Sequence, residues 1–183
     1  PGGNAALLGS AVVNTGGIIA PDGQIHLAVG DRISFHLSDN TSLDVVVDEA
    51  LQQEIAGLNA ALQNNGVLAG KVVEMQARLG DSITQAAVNI EGLVVAGGLQ
   101  GEGGKIVAVA ASANGSAVVA NSGLMDAGNG LIRIQGDQTL NTGDLLAQGA
   151  QSQSGGRVEV LGKQVGLGGM ALVDASGDTG GGA

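Results

Sequence analysis

The chain has 183 residues, a formal net charge of −10, 34 glycines, no cysteine and a single aromatic residue, Phe35. The acidic balance excludes nucleic acid and anionic lipid as partners, since both need a basic footprint; the lack of cysteine excludes disulfide frameworks, thiol catalysis and cysteine-ligated zinc. The 44% hydrophobic content is almost wholly aliphatic, which suits a thin, layered core and not a ring-filled globular interior or sugar cleft.

In chain order, glycines introduce a series of short alternating segments. Gly3 precedes "NAALLG" and Gly23 precedes "QIHLAV"; Gly70, Gly104, Gly130 and Gly156 precede "KVVEMQA", "KIVAVAA", "LIRIQG" and "RVEVLG". Gly182 closes the series, and the intervals from Gly104 to Gly130, Gly156 and Gly182 are each 26 residues. Ile25 and Leu27, Ile132 and Ile134, and Val158 and Val160 are apolar at every second place, the mark of a strand with one buried face. After Gly70 the phase slips: Val73 and Met75 take the buried places, and a register slip or bulge is expected there.

Each unit ends on an apolar residue, any residue, then alanine, giving a predicted column of Ala20, Ala69, Ala96, Ala127, Ala147 and Ala175. Upstream of it lies an asparagine in five units, Asn14, Asn65, Asn89, Asn121 and Asn141, with Gly168-Gly169 in the sixth. Repeats of this size, made of short strands and glycine turns, predict an all-β parallel β-helix of about six coils. Equivalent residues then lie over one another at the strand spacing, along a rod of roughly 30 Å. Small alanines turn the corners, and stacked asparagine amides hydrogen-bond along the axis. An antiparallel sandwich is the rival; its strands would not repeat in one orientation and phase.

One interval leaves the repeat. Between Gly23 and Gly70 an insertion at 31–66 contains "ISFHLSDNTSLDVVV", which predicts a hairpin outside the coils around 33–47. It is followed by "DEALQQEIAGLNAALQNNG", where Asp48 fits an N-cap, Leu51, Ile55, Leu58 and Leu62 fall at helical spacing, and Asn64-Asn65-Gly66 reads as a stop. This predicts a helix over 48–63 packed on the rod's flank, with a long irregular loop as the alternative. No run of about 20 apolar residues is present to span a membrane. The start at Pro1, without Met or signal segment, reads as that of an excised piece.

Chemistry-bearing motifs are few. No Gly-x-Ser-x-Gly elbow exists, and "GLQGEGGK" and "VLGK" lack the glycine spacing of a phosphate loop, so no catalytic residue or cofactor site is assigned. His26 and His36 alternate with apolar neighbours on expected strands, which puts both at outward, solvated places without a third metal ligand. Acidic turn residues such as Asp22, Asp126, Asp144 and Asp178 leave calcium between coils as one option, although the calcium-repeat text is missing; solubility of a glycine-rich rod is the simpler role. Arg133 and Glu159 share the third place of neighbouring units and are expected to face each other. Asn40-Thr41-Ser42 and Asn114-Gly115-Ser116 match the glycosylation sequon.

These phrases resemble the filamentous haemagglutinin family, the exported partners of bacterial two-partner secretion. "GGNAALLGSAVVNTGGIIAPDGQIHLAVGDRISFHLSD" followed by "VVVDEA" resembles text just downstream of that family's secretion domain. "GGRVEVLGKQVGLGGMALVDASGDTGGGA" resembles its ordinary coil-and-turn text. The likeness runs over essentially the whole chain and implies a right-handed parallel β-helix exported through an outer-membrane transporter. It further implies a non-enzymatic adhesin, secreted or at the bacterial surface, that attaches to cells, surface glycans or matrix polysaccharide in biofilm. The family's Asn-Pro-Asn-Gly secretion text is absent. Two other readings stand beside this one: a carbohydrate-active β-helix enzyme of the polysaccharide-lyase kind, and a spacer segment of a large exoprotein. The insertion at 31–66 is the best place for specific binding, because the coils do not require it.

Overall fold

A computed structural model describes residues 2–38, 42–98 and 101–183; the sequon asparagine Asn40 lies outside the described residues. Among those described there is no helix, and every pairing of named strands but one is parallel. In chain order the strands are β1 (Ala5–Gly9), β2 (Val12–Asn14), β3 (Gly17–Val29), β4 (Arg32–Ser38), β5 (Ser42–Glu49), β6 (Ala60–Asn64), β7 (Val67–Leu79), β8 (Ala86–Ile90) and β9 (Leu93–Ala96). There follow β10 (Lys105–Ser112), β11 (Val118–Asn121), β12 (Leu124–Asp126), β13 (Leu131–Gln135), β14 (Gln138–Asn141), β15 (Asp144–Leu146), β16 (Arg157–Leu161), β17 (Gln164–Leu167) and β18 (Val173–Asp174).

The strands visit three stacks in rotation. The second halves of β3 and β7 stack with β1, β10, β13 and β16. Their first halves stack with β9, β12, β15 and β18. A separate six-stranded sheet runs β17-β14-β11-β8-β6-β2. The stacks wrap one aliphatic core, a nearly closed, parallel β-helix-like arrangement. Register explains why alternation alone suffices to build it: Ile25 lies beside Val73, Val73 beside Ile106, Ile106 beside Ile132 and Ile132 beside Val158. Leu27, Met75, Ala108 and Ile134 form the next row, and all four are buried. Each such large side chain contributes about 1.5–3 kcal/mol on leaving water, and no ring is needed; Phe35 is 58% exposed.

The slip at Gly70 is real and has a cause. Ala20 pairs with Gly70 and Gln24 with Val72, so Pro21, Asp22 and Gly23 bulge opposite Lys71 alone. There is no corner loop in β7, which runs straight from one stack into another as a 13-residue strand. Two expected columns shift by one residue. Ala69 pairs with Ile19 and Val95, and Gly70 takes its place between Ala20 and Ala96. Ala127, Ala147 and Ala175 follow the paired residues Asp126, Leu146 and Asp174 directly and continue the column. The asparagine column runs Asn14, Asn64, Ile90, Asn121, Asn141. Asn65 is exposed, and Asn89 is half-buried with its amide on Glu91.

The helix expected over 48–63 is replaced by extended chain. Leu51 bridges Leu79 and Leu62 points into the core between Val12 and Val88, so the helically spaced leucines are buried at separate points. Residues 60–64 are needed to fill the sheet between β2 and β8; a helix there would leave β2 without a partner and one edge of β8 open, and that outweighs local propensity. The flank is covered instead by the antiparallel hairpin β4–β5, which departs after Gly30 and rejoins the winding at Leu51. Leu43, Val45 and Val47 of β5 pack on Ala28, with Leu8 and Ile33 alongside.

Candidate functional site

The hairpin is the element furthest from the repeat, and it is firmly fixed. Gln24 accepts the Leu43 amide and donates to the Ser42 hydroxyl, Arg78 donates to the Val47 carbonyl at 3.3 Å, and Arg32 pairs with Glu49 at 2.7 Å. By register, Phe35 and Leu37 lie on the same face as their partners Val45 and Leu43. The partners are buried; Phe35 and Leu37 (68% exposed) are not. The hairpin's apolar face is thus wider than the surface beneath it. Along β5 runs an apolar groove of about 240 Å³, between Val45–Val47 and the outer sides of Arg78, Val109 and Ala111.

A second, more polar hollow lies at the loop before β6. The Glu54 carboxylate accepts the Thr84 hydroxyl at 2.7 Å and the amides of Thr84 and Gln85, and these bonds hold it below the usual carboxylate range. Gln85 ties down the Leu58 carbonyl at 2.6 Å. These groups satisfy one another and brace the turn.

The asparagine column, with Asn64 in the place expected for Asn65 and Ile90 in that expected for Asn89, is tied by two amide bonds. Asn14 donates to Asn64 at 2.8 Å and Asn121 to Asn141 at 2.7 Å, both pairs buried. A glycine column that the sequence reading missed lies two residues further on: Gly16, Gly66, Gly92, Gly123 and Gly143. A side chain at any of the last four would meet the preceding glycine's carbonyl oxygen at 2.0–2.1 Å. The recurring Asn-x-Gly triplet was its signal.

No family model, no curated protein and no solved structure matches this chain. What the surface can do therefore follows from its own groups. All seven basic side chains are engaged. Lys105 meets Glu74 at 2.6 Å, Arg157 and Arg133 share Glu159, Lys163 meets Asp137 at 3.0 Å and Lys71 meets Glu102 at 3.5 Å; Arg32 and Arg78 bind within the hairpin as above. The expected Arg133–Glu159 contact is present. Glu159 is held below the ordinary range chiefly by the Arg133 hydrogen bond, and Asp137 by that of Lys163. Arg133→Met should lower stability only slightly in chemical denaturation, because Arg157 still holds Glu159 at 2.7 Å.

The two histidines separate. His36 is exposed and pairs across the hairpin with Asp44. His26 is 2% exposed and not solvated as expected, because β5 closes over it. Among the described residues no group of three or more acids or histidines is arranged to hold a metal ion. Asn114 is exposed, but its amide donates to the Asp81 carbonyl and its oxygen accepts from Ser112 and Ser116, so this sequon is tied into a turn around Gly115, where φ is +72°.

Proposed function

We propose that this chain is a non-enzymatic adhesive segment of a filamentous haemagglutinin-like exoprotein, wound as a right-handed β-helix of six coils. On this reading it leaves the cell through an outer-membrane two-partner-secretion transporter and acts outside, at the bacterial surface or in biofilm matrix. Its partner is a surface glycan or matrix polysaccharide, held by the hairpin. The observation that supports this most is the unburied apolar pair Phe35 and Leu37 on a hairpin whose neighbours are tied down. Exposed apolar residues on a braced element outside the scaffold are the usual material of a contact surface. A polysaccharide-lyase reading is disfavoured, since a proton-abstracting base needs an uncommitted group and the cations are all engaged.

The test is glycan-array and matrix-polysaccharide binding by the wild-type chain, by Phe35→Ser/Leu37→Ser, and by a variant in which residues 32–49 are replaced with a short glycine linker. Binding by the wild type that falls at least tenfold in both variants is the expected result. No binding by any form would favour a spacer; cleavage products from acidic polysaccharides would favour the enzyme.

A further inference from the structure

A buried histidine lies under the hairpin. His26 is on the outer side of β3, between Ile25 and Leu27, which face the core. In register it has Ala6 of β1 on one side and Glu74 of β7 on the other. The residues two places before and after it, Gln24 and Ala28, are those on which β5 is anchored. Neither ring nitrogen has a hydrogen-bond partner. The nearest charge is the Glu74 carboxylate, 3.5 Å from Nδ1, and its other oxygen is held by Lys105 at 2.6 Å. The charged groups acting on the ring are Glu74 from β7, Asp44 from β5 and Lys105 from β10; β1 presents only alanine.

We propose that the β4–β5 hairpin is an acid-released flap, shut while His26 is neutral and loosened when the imidazole takes up a proton. A neutral imidazole without partners is tolerable in a dry seam; an imidazolium there lacks the water it requires. Lifting the hairpin restores that water by breaking the small cluster around Leu43, Val45 and Val47 and the hydrogen bonds that Gln24 and Arg78 make to β5. Local opening is therefore the cheaper response, and the coils stay intact.

The sign follows from linkage. Burial lowers the His26 pKa from 6.5, with Glu74 and Asp44 opposing and Lys105 assisting. Closure is fully favoured above the ordinary histidine value and is lost as pH falls through the window below it. One proton is involved, so the opening constant rises by up to about tenfold per pH unit in that window.

Amide hydrogen exchange across residues 42–49, corrected for chemical exchange, tests this between about pH 7.5 and about pH 5, above the range in which free carboxylates titrate. Opening should increase on acidification in the wild type and in His36→Gln, and stay flat in His26→Leu, while amides of β13 remain protected throughout. NMR titration of the wild-type imidazoles gives a readout independent of any variant's folding: His26 should titrate below the ordinary value. Hairpin opening that ignores pH, an unchanged response in His26→Leu, or a His26 titration at or above the ordinary value would each overturn the proposal.

Discussion

Gly123→Ala is expected to destabilise the fold by about 3–5 kcal/mol, at the severe end for a single substitution. The same change at Gly17 should stay within about 0.5 kcal/mol of the wild type. A Cβ on Gly123 would lie 2.0 Å from the Gly92 carbonyl oxygen, whereas one on Gly17 meets nothing within 4 Å. The obstacle is backbone and not a side chain that can rotate away. It is also pinned, because Gly92 accepts the Leu124 amide at 3.2 Å and Gly123 accepts the Asp144 amide at 3.0 Å. Relief would require prising adjacent rungs beyond the roughly 4.8 Å strand spacing, which breaks these bonds and the rows of the core beside them. Thermal unfolding should show a midpoint lowered by about 6–20 °C for Gly123→Ala. A shift of less than about 2 °C would mean that the glycine column is incidental.

The winding itself was legible because two periods agree. Alternation in Leu131–Gln135 and Arg157–Leu161 marks which side is buried, and the 26-residue interval brings those strands side by side. The hairpin was legible because its text leaves the repeat; Leu43, Val45 and Val47 fall at every second place, although Val46 between the last two is also apolar. Single columns were harder to place. Asn64 and Asn65 are adjacent, and counting back from the Ala69 triplet selects the wrong one because Gly70, one residue on, stands in the alanine's place. Counting forward to the glycine two residues on would have chosen Asn64, because only that spacing stacks Gly66 on Gly16. The absent helix shows the opposite limit. Its leucine spacing is good, and nothing local reveals that the sheet between β2 and β8 needs residues 60–64. The burial of His26 was equally hidden: alternation says outward, and only the hairpin's return over β3 makes outward mean dry.

The break in the asparagine column carries the other large prediction. Each amide donates to the oxygen of the next rung, Asn14 to Asn64 and Asn121 to Asn141, but Ile90 occupies the rung between Asn64 and Asn121. The consequence is visible on both sides: Asn64 Nδ2 and Asn121 Oδ1 are buried without a hydrogen-bond partner. An asparagine at 90 would accept from the first and donate to the second, closing the chain of amides. Ile90→Asn gives up the burial of an aliphatic side chain, about 1.5–3 kcal/mol, desolvates a new amide at about 1–3 kcal/mol, and relieves two orphaned groups at about 1–3 kcal/mol each. The variant is therefore expected within about 1 kcal/mol of the wild type, on either side. Val88→Asn, two residues earlier on the same strand and equally buried, inserts an amide with no such partners and should cost about 4 kcal/mol or more. Chemical denaturation of the two variants separates these cases. A double-mutant cycle adds the mechanism: in an Asn121→Ala background the partner of residue 90 is gone, and Ile90→Asn should become worse by about 1–3 kcal/mol. Equal damage from Ile90→Asn and Val88→Asn, or no coupling to Asn121, would show that the column stabilises by packing and not by its amides.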